Sequence, residues 1–203
     1  SDFLDENPKD FLSPENLPVT EDDCDLMLNG AISYLRGSNL YERCLMALPG
    51  LGGDDVNDCN NSGNYYQMDT YTFLSTQGMI YSVWTGLYDV INETNTMIMK
   101  IPQAELDEPV KEKYIAAAKF LRALMYFHLV RIFGHNCILL DKPVDDFAVA
   151  LELEPASIEQ VYELIKEDID YAVGEGNYDG HRLPVNDWPV GHPTYGAAKT
   201  LQA

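Results

Sequence analysis

The stretch Lys111-Glu-Lys-Tyr-Ile-Ala-Ala-Ala-Lys-Phe-Leu-Arg-Ala-Leu-Met-Tyr-Phe-His-Leu-Val-Arg-Ile-Phe-Gly134 constrains the fold more than any other part of the chain. Pro109 stands just inside its start, where a missing N–H costs nothing, and Gly134 just past its end, so the spacing predicts one long helix from about Pro109 to Gly134. No sustained period-2 alternation occurs anywhere in the sequence, and the remaining apolar residues also recur at helical spacing. The chain is therefore expected to be all-α.

The other helices carry their own start and stop signals. Thr20 with Asp23 forms an acidic capping box ahead of Leu26, Met27, Ala31, Ile32 and Leu35, which recur at helical spacing before Gly37. A short helical turn is expected around Tyr41 to Leu48, after which Pro49-Gly-Leu-Gly-Gly53 breaks regular structure and opens a polar stretch to about Thr72. Ser75 is the expected cap of the next helix, in which Ile80, Trp84, Leu87, Tyr88, Ile91, Asn95 and Ile98 share one face before Pro102 ends it. Ser157 with Gln160 makes a second capping box, followed by an apolar stripe of Ile158, Val161, Tyr162, Ile165, Ile169 and Ala172. A Gly/Asp/Asn/Pro-rich linker from Gly174 to His192 leads to a last helix at Pro193. Successive helix pairs with interlocking small and aromatic residues suggest tetratricopeptide-like hairpins, although no strict 34-residue self-repeat is legible.

Composition excludes several classes of function. The chain has 203 residues, a 46% hydrophobic share and 33 acids against 13 Lys plus Arg, giving a net charge of -20. No apolar run approaches the roughly 18 residues that a membrane span needs. Nucleic acids and anionic membrane surfaces are excluded as partners, because binding there depends on basic side chains that release counterions. Cys24, Cys44, Cys59 and Cys137 stand alone, with no Cys-x-x-Cys pair and no metal-ligand spacing to a histidine, so no disulfide framework is indicated. Cys24 and Cys137 read as small core residues and Cys59 as an exposed thiol in a polar loop.

Four segments together resemble the SusD/RagB family of surface glycan-binding lipoproteins. These are the helix Trp84-Thr-Gly-Leu-Tyr-Asp-Val-Ile-Asn-Glu-Thr-Asn95, the Ala-x-Phe-Leu-Arg-Ala-x-x-Tyr-Phe run that closes on Arg131-Ile-Phe-Gly134, the Ser157 to Ala172 segment, and the opening Ser1-Asp-Phe-Leu-Asp5-Glu-Asn-Pro8. The resemblance implies an all-α, tetratricopeptide-like fold with long irregular loops, spanning 1–203 as the family's N-terminal helical region. An extended arm is expected over 1–19, the first helices and the 49–72 loop over 20–134, and a further helical hairpin over 135–203. The family's opening follows a lipidated cysteine, and its last helix here runs on into a large C-terminal half that contributes much of the glycan site. The chain is thus expected to be a fragment or a reduced relative. The family's Gly-Arg-x-Thr lead-in is stretched here from Arg182 to Thr194 by an insertion containing Trp188.

The candidate binding element is the loop Gly52-Gly-Asp-Asp-Val-Asn-Asp-Cys-Asn-Asn-Ser-Gly-Asn-Tyr-Tyr-Gln67. Sugars present hydroxyl rims and apolar C–H faces, so their sites pair Asp, Asn and Gln with flat aromatic rings. The glycan candidates are Asp54, Asp55, Asn57, Asn60, Asn61, Tyr65 and Tyr66; by the resemblance, Asp54 and Asp55 match an acidic turn and Tyr65 or Tyr66 the family's platform aromatic. The competing reading is a solvated Asn/Gly loop whose tyrosines pack back on the helices. Asp58, Asn60, Ser62 and Asp69, with Gly63 between, also fit EF-hand spacing, so calcium is a candidate ligand beside the competing reading of an Asx-turn-rich loop.

No Ser/His/Asp or Cys/His set is recognisable among His128, His135, His181 and His192, and so many acids make chance carboxylate pairs inevitable. The expectation is a non-catalytic protein without a cofactor. Trp84, Tyr88, Arg122, Tyr126 and Arg131 fall on packed helix faces and read as scaffold, with the arginines capping or pairing with acids; Trp188 reads as an anchor of its linker, as a partner contact or as a lid. By the resemblance the chain binds oligosaccharides at the outer-membrane surface and passes them to a SusC-like TonB-dependent transporter, touching the membrane only through a lipid anchor absent from this sequence. Two alternatives stand beside this: a helical-repeat scaffold docked on the transporter with no glycan site of its own, and a glycosidase using Asp54 or Asp55.

Overall fold

The computed structural model describes residues 17–53, 56–59, 63–74, 76–144 and 152–203. Most of the expected extended arm, 1–16, and the expected cap Ser75 lie outside them. The described residues are helical: α1 (Glu21–Leu35), α2 (Cys44–Leu51), α3 (Gly63–Asp69), α4 (Gly78–Lys100), α5 (Glu108–Phe133), α6 (Ile158–Ala172) and α7 (Tyr195–Gln202), with one short strand β1 (Glu175–Tyr178) among them. Single 3₁₀ turns follow α4 and α5, at Ile101–Gln103 and Gly134–Asn136.

α5 is the centre of the architecture. It packs most extensively against α4 and α6, and also touches α1 and β1. Ala116, Ala117 and Ala118 are consecutive and all fully buried, which no one-sided amphipathic helix permits. Their small side chains let neighbouring backbones approach from several directions at once. Pro109 sits in its first turn and Gly134 ends it at φ 60°. α1 lies on α4, α6 pairs with α5, and α7 continues the stack from α6. This succession of helical hairpins is the tetratricopeptide-like arrangement the sequence suggests.

Both capping boxes form. The Thr20 hydroxyl accepts from Asp23 N while the Asp23 carboxylate accepts from Thr20 N at 2.8 Å and Val19 N at 2.9 Å, bonds that hold its pKa below the ordinary carboxylate value. Ser157 and Gln160 do the same for α6. Elsewhere the structure departs from expectation. α2 runs through Pro49 to Leu51, because Leu45, Leu48 and Leu51 are all buried and hold the turn that the proline would break. α4 is capped by Gln77, whose Oε1 accepts from Met79 N at 2.7 Å and Ile80 N at 3.0 Å while its Nε2 donates to Asn64 O. A contact from a distant turn thus makes a cap of a residue type that rarely serves as one. Part of the Gly174–His192 linker forms β1, which folds back through a tight turn to pair with His181.

A polar relay threads the apolar core. The extended segment 137–140 lies against α4 and α5 with its backbone satisfied by helix side chains instead of a sheet. Ile138 N donates to the Tyr88 hydroxyl at 2.8 Å and Leu140 N to the Tyr126 hydroxyl at 2.8 Å. Asn95 Nδ2 donates to Leu140 O at 2.9 Å, and Asn92 Oδ1 accepts from Val144 N at 2.7 Å. Tyr88, Asn92 and Asn95 are one and two turns apart, so one stripe of α4, joined by Tyr126 of α5, holds the segment. Cys24, Cys44 and Cys137 are buried and Cys59 is exposed, all four as free thiols.

Candidate functional site

The candidate loop joins α2 to α4. Asp54, Asp55, Asn60, Asn61 and Ser62 lie outside the described residues. Of the remaining candidates Asn57 is exposed, whereas Tyr65 and Tyr66 are half-buried on α3, a helix where the sequence predicts only polar loop. Tyr65 packs against the core. Neither tyrosine stands free as a platform, because α3 turns the segment inward around the buried Met68.

Three exposed rings that sequence reasoning passed over lie just beyond the loop: Tyr71 at 67%, Phe73 at 37% and Tyr81 at 66% of their full surface. Tyr71 has φ 56°, a backbone conformation rarely adopted by a bulky residue, and its hydroxyl donates to Gly52 O across the loop mouth. Thr70 and Thr72 brace this turn by a 2.9 Å hydroxyl contact.

The calcium spacing acquires no matching geometry. Asn60 and Ser62 are outside the described residues, Gly63–Asp69 is helix, and Asp58 and Asp69 meet through a backbone bond from Asp58 N to Asp69 Oδ2 at 3.2 Å. Among the described residues no group of three or more His, Cys, Asp or Glu side chains converges as metal ligands.

The scaffold residues fall where their spacing puts them. Trp84 packs against Tyr88 and edge-on against Phe133, with ring centroids 5.0 Å and 4.9 Å away. Arg122 pairs with the fully buried Asp168. Arg131, in the last turn of α5, stacks over Phe127 at 5.5 Å. His128 Nε2 meets the Tyr41 hydroxyl at 2.7 Å, and burial pushes its pKa below the ordinary histidine value. Trp188 anchors its linker: its ring lies edge-on to Tyr114 at 5.5 Å and beside His192 at 5.2 Å. The Lys113 ammonium sits about 5 Å from the rings of Tyr114, Tyr178 and Trp188, which joins α5, β1 and the linker around one charge. His192 Nε2 is 3.1 Å from Asp25 Oδ1, closing the linker onto α1.

A family model described as "Starch-binding associating with outer membrane" matches residues 2–174 of this chain. The chain belongs to the SusD-like family. A curated relative, SusD-like protein P2 of Formosa agariphila, is 32% identical over 176 residues, covering 83% of this chain and 34% of that protein. A SusD-like protein of Bacteroides ovatus is 29% identical over 143 residues, covering 68% and 26%. Among solved structures, one named as a laminarin-binding SusD-like protein is 25% identical with a TM-score of 0.75, over 91% of this chain and 39% of that one. Surface glycan-binding protein A of Bacteroides fluxus, 21% identical, shares the fold with a TM-score of 0.72 over 91% and 39%. This SusD-like chain therefore spans between about a quarter and a third of the length of the curated relatives it matches. Among its described residues no helix is long and apolar enough to cross a membrane.

Proposed function

We propose that this SusD-like chain belongs to a surface lipoprotein of the outer membrane that captures oligosaccharides without altering them and hands them to a SusC-like TonB-dependent transporter. The observation that carries this reading is the family match over residues 2–174. Similarity to a protein named for laminarin binding supports a glycan as the cargo. On this reading the α2–α4 connection contributes to capture, with Asp54, Asp55, Asn57, Asn60 and Asn61 as hydrogen-bonding candidates and Tyr65 and Tyr66 as aromatic ones. The exposed ring of Tyr71 joins them, since it stands at the mouth of the same loop and is pinned to Gly52.

The half-burial of Tyr65 and Tyr66 favours a second reading, in which this portion is a helical scaffold docked on the transporter and the glycan is held elsewhere in the protein. Affinity electrophoresis of the chain in gels containing plant, host and microbial polysaccharides separates the two. Capture predicts retardation by at least one polysaccharide, no product formation, and loss of retardation in the Tyr71→Ala or Tyr65→Ala/Tyr66→Ala variant. Unretarded migration of folded chain in every gel favours the scaffold. Released sugar that disappears with Asp54→Asn or Asp55→Asn overturns the non-catalytic reading.

A further inference from the structure

A cleft of about 220 Å³ opens between the C-terminal end of α1, the α1–α2 connection and α4, away from the α2–α4 loop. It is lined by Ser33, Tyr34, Ser38, Asn39 and Asp89, together with the backbone of Gly37 and Gly86. The Tyr34 ring is 43% exposed. The Ser33 hydroxyl donates to Gly30 O at 2.7 Å and keeps its own oxygen free to accept. The side chains of Ser38, Asn39 and Asp89 make no hydrogen bond to any other described residue.

Three unspent polar groups, a half-spent hydroxyl and an aromatic ring thus converge on a space suited to one sugar ring. We propose that this cleft binds a single neutral pyranose unit, the Asp89 carboxylate and Asn39 amide bonding to neighbouring ring hydroxyls and the Tyr34 ring covering a C–H face. The assignment rests on the glycan-capture reading and adds a site separate from the loop. The chemistry of the lining selects the class. An amide and hydroxyls, which both donate and accept, suit a polyol whose every hydroxyl does the same. Phosphorylated and acidic sugars are repelled by Asp89 and by Glu93, one turn further along α4, both of which lie near enough to Tyr34 to raise its phenol pKa after burial itself. Desolvation raises the Asp89 carboxyl above its ordinary value, although the residue itself is exposed at the rim of the cleft. A metal ion is a poor fit, because only one carboxylate lines the cleft.

The test is a titration of the isotopically labelled 203-residue chain with methyl glucopyranoside, methyl galactopyranoside and methyl mannopyranoside, read by amide NMR. Saturable shifts of the Gly37 and Gly86 amides and of the Asn39 side-chain amide are expected with at least one of them. Asp89→Ala and Asn39→Ala, both at the surface of the cleft, each weaken that binding roughly tenfold or more, as loss of a hydrogen bond to or from a ligand does. Tyr65→Ala/Tyr66→Ala leaves it unchanged. Absence of shifts at the cleft in the native protein overturns the assignment. If polysaccharide still retards the chain in gels, glycan capture stands without the cleft; if it does not, both readings fall together. Shifts produced by arginine amide but by no glycoside overturn it in favour of a cation-binding cleft.

Discussion

Arg122 holds Asp168 in a two-pronged grip, Nε to Oδ2 at 2.7 Å and Nη2 to Oδ1 at 2.9 Å, although the carboxylate is fully buried between α5 and α6. Lys119 adds a third bond to Oδ1 at 2.6 Å, and Asn95 Oδ1 takes the remaining direction of the guanidinium at 2.7 Å. Asn95 in turn holds Leu140 O, so one charged cluster ties α4, α5, α6 and the extended segment together. Geometry this complete is what lets a buried ion pair repay the cost of removing two charges from water.

Breaking that pair from one side leaves the other charge buried and unmatched. Arg122→Ala or Asp168→Ala is expected to cost about 3–5 kcal/mol. Lys119, with a fifth of its side chain exposed, is expected to cost about 1 kcal/mol when replaced by alanine. Urea unfolding followed by circular dichroism measures all three, and similar losses for Lys119 and Arg122 would contradict the ranking.

Removing the Tyr88 or Tyr126 hydroxyl strands the N–H of Ile138 or Leu140 in the core. Each Tyr→Phe change is expected to cost about 1–3 kcal/mol and to accelerate exchange of the stranded amide more than that of amides within α1. Hydrogen-exchange NMR reads both effects. Uniform acceleration across the chain would show that the segment has no local hold of its own.

Acidification should weaken the fold through His128. Burial lowers its pKa, so the unfolded chain takes up the proton first as pH falls. The stability this group contributes is complete above about 6.5, its ordinary value, and is lost as pH falls through the lower folded value. Asp89 and Glu93, raised by burial, act in the opposite direction at their own titrations. The His128→Gln variant isolates the histidine: the drop in urea midpoint between about pH 7.5 and pH 5.5 should be smaller than in the native chain.

The thiols should divide by accessibility. Burial pushes Cys24 and Cys137 up to about 11, and Cys44 is only 4% exposed. Iodoacetamide at mildly alkaline pH is therefore expected to modify Cys59 rapidly and the other three on the timescale of unfolding. Peptide mass mapping identifies the sites.

Two glycine-to-alanine changes should act in opposite directions. At Gly86 a Cβ would stand 3.0 Å from Asn39 Cβ and Leu40 Cγ, and Leu40 is fully buried, so the change is expected to cost about 1–3 kcal/mol. At Gly30, inside α1 with nothing within 4 Å, alanine should stabilise by about 0.5–1 kcal/mol. Thermal unfolding of the pair distinguishes packing from backbone entropy.

The helical skeleton was readable because its signals are local. Thr20 with Asp23, Ser157 with Gln160, and Pro109 with Gly134 each act within a turn or at a helix end. What the sequence concealed depends on partners far along the chain. Gln77 becomes a cap because Asn64 orients its amide, α2 survives Pro49 because three leucines are buried beneath it, and β1 forms because Gly176 lets Arg182 lie close. The same division governs the candidate site. Residue types placed it in the α2–α4 connection, but inward rotation of Tyr65 by α3 and outward display of Tyr71 are set by tertiary packing, and no periodicity announces either.

The enclosure of α5 on several sides sets where this protein can change length in evolution. A deletion inside that helix would turn everything beyond it by about 100° and draw it back by about 1.5 Å. Depending on where it fell, Arg122 would miss Asp168, or Tyr126 would miss Leu140, and the alanines that admit α4 and α6 would face elsewhere. Insertions and deletions should therefore collect in the α2–α4 connection and the linker around Trp188, leaving α5 as the fixed-length gauge against which relatives can be aligned.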